Sequence, residues 1–103
     1  MAQLIKPNGD ISSVERIAPK NGDTFELDEM SSYVGGYIEV VRPLDVIGLG
    51  LVLVVNEEGL LLDLPYNVSA SRLAGHEIRG NAIFCAERGE ELVALPNNQE
   101  IPT

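Results

Sequence analysis

The stretch Tyr33 to Val41, YVGGYIEVV, runs two glycines straight into an alternating apolar segment, and its polarity decides the reading of the fold. Upstream, Leu27, Met30 and Val34 recur at the spacing of one helix face. A glycine just beyond the last periodic residue is the usual way to end a helix in the left-handed conformation. Gly35 is therefore the expected cap, and Gly36 the slack before a strand. A phosphate-cradling loop has the opposite order, with glycines after a strand and before a helix N-terminus. Here the carbonyl-rich end of a helix faces the glycines and disfavours phosphate, so the pair reads as a structural joint.

Downstream, Tyr37 to Val41 alternates as a strand with Ile38 and Val40 on one face, and Pro43 stops it. LDVIGLG, residues 44–50, reads as a flexible connection, and LVLVV, Leu51 to Val55, as a strand covered on both faces. Asn56-Glu57-Glu58-Gly59 turns the chain into an expected second strand, LLLDL, residues 60–64. Asn67 caps a short helix, VSASRLA, which Gly75 closes. Ala82 to Ala86 is a further strand, a turn at Arg88-Gly89 leads into EELVAL as an edge element, and PNNQEIPT forms the tail.

Upstream of the first helix, QLIKPNGDISSVERI predicts a hairpin around Pro7-Asn8-Gly9-Asp10. After Pro19-Lys20-Asn21-Gly22, Asp23 or Thr24 is the expected helix cap, ahead of an acidic first turn from Glu26 to Glu29. Together these predict a small single α+β domain, a mostly antiparallel sheet of about five or six strands with two short helices. The expected order is ββαβββαβ over residues 1–95, with a flexible C-terminal tail at 96–103.

At 103 residues the chain has one domain's worth of core, and 45% hydrophobic content is too apolar for a disordered acidic chain. Its longest apolar run, Ile47 to Val55, falls far short of the roughly 20 residues a bilayer needs. Sixteen acids against seven bases, net −9, disfavour DNA, RNA and anionic membranes as partners. The same charge keeps a small apolar domain soluble, and it suits approach to a basic host surface or imitation of DNA. Cys85 is the only cysteine, which rules out an internal disulfide and a thiolate cluster from one chain. MAQLIKPNGD lacks the features of a secretory signal, so a cytoplasmic location is expected.

Read in order, KPNG, KNGDTFELDEM, VGGYIEVV, VNEEGLLLDLPYNVSA and IRGNAIF resemble the small phage- and plasmid-encoded family catalogued as domain of unknown function 3846. The resemblance runs from Leu4 to Cys85. It departs at Asp28 to Ser32, where the family is leucine-rich, and at the added DVIGLG. It carries no assigned chemistry and implies a mobile-element protein working inside a bacterial cell.

Asn56 and Glu57 in one turn, and Tyr66 and Asn67 at the second helix, supply an amide, a carboxylate and a phenol for a polar ligand if both segments meet at one end of the sheet. The N–H groups near Val68 and Ser69 would accept an anion there, with Arg72, Arg79, Tyr37 and Asn81 as further contacts. The plainer alternative is that Asn56, Gly59 and Asn81 supply turns and Asn67 merely caps. Cys85, mid-strand, reads as a small buried hydrophobe rather than a nucleophile paired with His76. Asp45, Glu57, Glu58 and Asp63 lack metal-ligand spacing. No catalytic residue, metal or cofactor is expected.

The function that fits is a non-enzymatic binding protein of a phage or mobile element. Its expected role is counter-defence, either occluding a host protein or sequestering a small anionic nucleotide. The alternatives are a small hydrolase or lyase acting on a nucleotide through Glu57, Asp63 or His76, and a structural subunit that forms a homo-oligomer through its sheet face.

Overall fold

The computed structural model describes residues 1–43, 50–96 and 100. The chain is α+β, a six-stranded antiparallel sheet with two helices, as the sequence predicts. In chain order the elements are β1 (Ala2–Asn8), β2 (Ile11–Ile17), α1 (Leu27–Val34), β3 (Ile38–Val41), β4 (Leu51–Asn56), α2 (Val68–Ala74), β5 (Ala82–Arg88) and β6 (Glu91–Val93). The sheet runs β2-β1-β5-β4-β3, and β6 pairs with β5 off this path. One edge of β5 carries β4, with Val55 opposite Ala82 and Leu51 opposite Ala86. Along its other edge β1 pairs at Ala82 to Phe84 and β6 at Ala86 to Arg88.

The two-residue period of the strands sorts the core onto two faces. On one face, Leu4, Val52, Val54, Ile83 and Cys85 pack with Met30 and Val34 of α1. On the other, Ile5, Leu53, Val55 and Phe84 pack with Ala70 of α2. Every residue of β4 is buried, which is why LVLVV shows no alternation.

Two local readings are corrected. α1 is capped by Glu26, not by Asp23 or Thr24: the Glu26 and Glu29 side chains close a reciprocal capping box. The helix cannot start earlier because Thr24 bridges Val93 and the Phe25 N–H donates to the Leu92 carbonyl at 2.8 Å. Its buried side is Glu29, Met30 and Val34, whereas Leu27 is exposed. Glu29 is tolerated inside because its two oxygens accept from the Glu26 and Lys20 N–H groups at 2.9 and 3.1 Å.

Second, Leu60–Leu64 is not a strand. The Leu62 N–H donates to the Glu58 carbonyl at 2.8 Å, the Asp63 N–H to Leu60 at 3.2 Å and the Leu64 N–H to Gly59 at 3.0 Å. Those bonds wind the segment into a helical turn, which ends at Asp63 in the left-handed region, φ 52. Leucine favours helical over extended backbone, and nothing β-branched opposes it here. The edge element at EELVAL is instead a strand, β6. The first hairpin forms where expected, with Asn8 opposite Ile11 and Gly9-Asp10 as its turn.

The expected connection at 44–49 lies outside the described residues. So does most of the expected tail, of which Pro96 and Glu100 are described. Glu100 pairs with Arg16 of β2 at 3.0 Å. No helix among the described residues is long and apolar enough to cross a membrane.

Candidate functional site

The segments 56–67 and 76–81 do converge at one end of the sheet. Tyr66 bridges Arg79, the Asn67 N–H donates to the Ile78 carbonyl at 2.9 Å, and the Gly80 N–H donates to the Pro65 carbonyl at 2.7 Å. At Gly59 the two strands of chain touch: an added Cβ would lie 2.7 Å from the Arg79 carbonyl oxygen. Only glycine allows that approach.

Two recesses open here and share Asn56. A cleft of about 100 Å³ is lined by Asn56, Glu57, Leu60, His76 and Arg79 among others. A groove of about 360 Å³ lies between Tyr37, Gly36, Glu58 and Leu62. Both recesses thus flank the leucine turn.

The three asparagines expected to bind ligand each hydrogen-bond within the fold. Asn56 is buried; its Nδ2 donates to the Val34 carbonyl at 3.1 Å and its Oδ1 accepts from the Glu58 N–H at 2.8 Å. Asn81 Nδ2 donates to the Tyr33 carbonyl at 2.9 Å. These two amides, with the Gly35 and Gly36 N–H groups on the Ser31 carbonyl, satisfy three of the four free carbonyls at the end of α1, those of Ser31, Tyr33 and Val34. Gly35 is the left-handed cap, φ 82, so the glycine pair is the structural joint that its polarity predicts. Gly36 is more than slack, because an added Cβ would meet the Asn56 amide at 3.0 Å.

Asn67 is fully buried and fully bonded. Nδ2 donates to the Ile5 and Gly80 carbonyls at 3.0 and 2.9 Å; Oδ1 accepts from the Ala70 N–H at 3.2 Å and from the Ser12 hydroxyl at 2.8 Å. An amide has two donors and two acceptor sites to offer, so none is left for a ligand.

Arg79 is similarly engaged. Its Nε meets Glu77 at 2.6 Å, and its Nη1 meets Asp63 at 3.0 Å and the Leu64 carbonyl at 3.2 Å. The Glu77 hydrogen bond, followed by the Glu77 and Asp63 charges, raises its pKa further above the usual guanidinium value. Arg72 stands exposed on α2, away from both recesses, and Glu57 is exposed. Cys85 lies in the α1-side core and its thiol is pushed up to about 12 by burial, whereas His76 is exposed beyond α2. Among the described residues no three histidine, cysteine or acidic side chains gather as metal ligands.

Sequence reasoning missed what this end of the molecule presents. Leu60, Leu61 and Leu62 are 61, 80 and 55% exposed, and the neighbouring Tyr37 and Tyr66 are 74 and 46% exposed. A readable signal existed: three successive leucines with no alternation and no β-branched residue, between a glycine and a proline, suit neither a half-buried strand nor a buried one.

The model of a family described as "Domain of unknown function (DUF3846)" matches residues 2–101. The chain belongs to that family. The match takes in β1 through β6, and therefore the whole sheet end built around the leucine turn. No curated protein and no solved structure matches the chain.

Proposed function

We propose that this DUF3846 chain is a non-enzymatic binding protein whose contact surface is the Leu60–Leu62 turn with Tyr37 and Tyr66 beside it. The observation that carries the reading is the exposure of three consecutive leucines on a turn pinned at both ends by main-chain hydrogen bonds. Leucines scattered singly on a surface need no explanation, but a contiguous apolar patch marks an interaction site. Complete burial of a leucine is worth roughly 1.5–3 kcal/mol, which is left unrealised in the isolated chain. Because the turn is already ordered, a partner meets little of the entropy cost that a floppy loop would impose.

The polar groups around it support binding over catalysis. Asn56, Asn67, Asn81 and Arg79 are held by the fold. The cleft of about 100 Å³ is small for a ligand site, and the groove of about 360 Å³ carries the Glu58 carboxylate and no lysine or arginine among its described lining residues, which suits an anion poorly. That favours a macromolecular partner over a sequestered nucleotide. In a phage or other mobile element, the corresponding role is to occlude a host protein inside the bacterial cell.

The test is cross-linking in bacterial lysate with wild type and Leu61→Ser, alongside melting shifts with a nucleotide panel and a metal-supplemented turnover screen. The expected result is a protein partner lost in Leu61→Ser, with no nucleotide shift and no turnover. A nucleotide-induced melting shift, or turnover abolished by Glu57→Ala, would replace the reading.

A further inference from the structure

We infer that the leucine turn is completed by a cationic protein surface, an apolar cleft or amphipathic helix edged with lysine or arginine. This rests on the binding reading above and adds the chemistry of the partner. The residues lining the two recesses supply four carboxylates, Glu39, Glu57, Glu58 and Glu77, against one guanidinium, Arg79. That guanidinium is already shared between Glu77 and Asp63. Glu39, Glu57 and Glu58 form no ion pair among the described residues. The apolar turn is therefore flanked by uncompensated negative charge, on a chain whose net charge is −9.

Charge complementarity separates the occupants. A second copy would bring Glu39, Glu57 and Glu58 against their own equivalents, and like charges facing one another across an interface suppress that pairing. An anionic lipid surface or a nucleic acid meets the same repulsion. A protein bearing lysines or arginines around an apolar contact gains on both counts. Its apolar side chains cover Leu60 and Leu61 or enter the groove between Tyr37 and Leu62, and its cations reach Glu58 on the groove wall and Glu57 beside the cleft. The carboxylates then set the association rate and its salt dependence, and the leucines set the residence time.

The experiment uses two synthetic amphipathic helical peptides with identical leucine positions, one carrying lysine and the other glutamate on the polar face. Each is titrated by fluorescence anisotropy at low and high salt against the wild-type chain, Leu61→Ser, and the double variant Glu57→Gln with Glu58→Gln. Circular dichroism confirms the fold of each variant, and sedimentation velocity follows the chain alone.

The expected result is that only the lysine peptide binds. Its affinity should fall at least about tenfold in Leu61→Ser, and more modestly in the double variant and at high salt. Equal binding of both peptides, lost in Leu61→Ser, overturns the charge inference and leaves the binding surface standing. Lysine-peptide binding that Leu61→Ser does not change overturns both. Failure of the lysine peptide to bind, or a self-association abolished by Leu61→Ser, overturns the cationic partner.

Discussion

The hydroxyl of Ser12 donates to Oδ1 of Asn67 at 2.8 Å and accepts from the Ser69 N–H at 3.1 Å. An edge strand and the first turn of α2 thus share one polar joint, and Asn67 sits at its centre with all its hydrogen-bonding capacity used. Asn67→Ala removes an N-cap and leaves the Ile5 and Gly80 carbonyls unanswered in the interior. It should cost about 3 kcal/mol or more, against about 1 kcal/mol for Ser12→Ala. Urea denaturation should show the midpoint falling with the slope unchanged; an unaltered midpoint in Asn67→Ala would return this residue to the ligand-binding candidates.

Gly59→Ala forces a methyl group to within 2.7 Å of the Arg79 carbonyl oxygen, with main chain on both sides and no flexible atom to yield. A loss of about 1–3 kcal/mol is expected. Weaker partner binding should accompany it, since the displaced segment carries the leucines.

Leu61→Ser should leave stability within about 0.5 kcal/mol, because the side chain gives up no burial. Leu53→Ala, from the fully buried core of β4, should cost about 2–5 kcal/mol. Parallel melts of the two variants test whether the exposed leucines contribute to folding at all.

The Cys85 thiol, raised to about 12 by burial with a smaller push from the Glu87 charge, stays protonated in the folded chain where an exposed thiol ionises near 9. Below that ordinary value both states hold the proton and stability is unaffected. Between the two values the unfolded chain alone loses it, so stability falls as pH rises, by about 1.4 kcal/mol per unit at most. Denaturation across that alkaline range should show this slope in wild type and a smaller one in Cys85→Ala. At neutral pH, iodoacetamide should label Cys85 only on unfolding.

Asp23 hydrogen-bonds Arg88, and that contact holds its carboxyl below the ordinary 3.8. Its contribution is present above the ordinary value and fades as pH falls through the depressed one. Arg88→Gln should move the Asp23 carboxyl titration, followed by NMR, back upward; an unmoved titration would mean the pair does not persist in solution.

The elements with strong local chemistry were legible in the sequence. The αL caps at Gly35 and Gly75, the N-cap at Asn67 and the doubly covered run at Leu51 to Val55 all follow from backbone rules that hold within a few residues. What escaped depended on distant partners. The start of α1 is set by Phe25 pairing with Leu92, and no propensity near Asp23 encodes that. The asparagines at 56, 67 and 81 all donate to backbone carbonyls of distant elements, and a single sequence does not distinguish an amide aimed at a ligand from one aimed at a carbonyl elsewhere in the fold. The leucine turn reads as a strand because a short apolar run fits one until its missing alternation is weighed.

The position of β5 in the sheet bears on how the molecule is made. It lies between β4 and β1, so Ile5 waits for Ala82 as its partner. A growing chain cannot assemble the middle of its sheet until β5, which follows β1 and β4 in the chain, has left the ribosome. Until then β4 has β3 as its one strand neighbour among the described residues, with α1 against one of its faces. Slow, late acquisition of structure is expected from such sequence-distant pairing, and a ribosome-bound fragment ending before β5 should be readily degraded by protease.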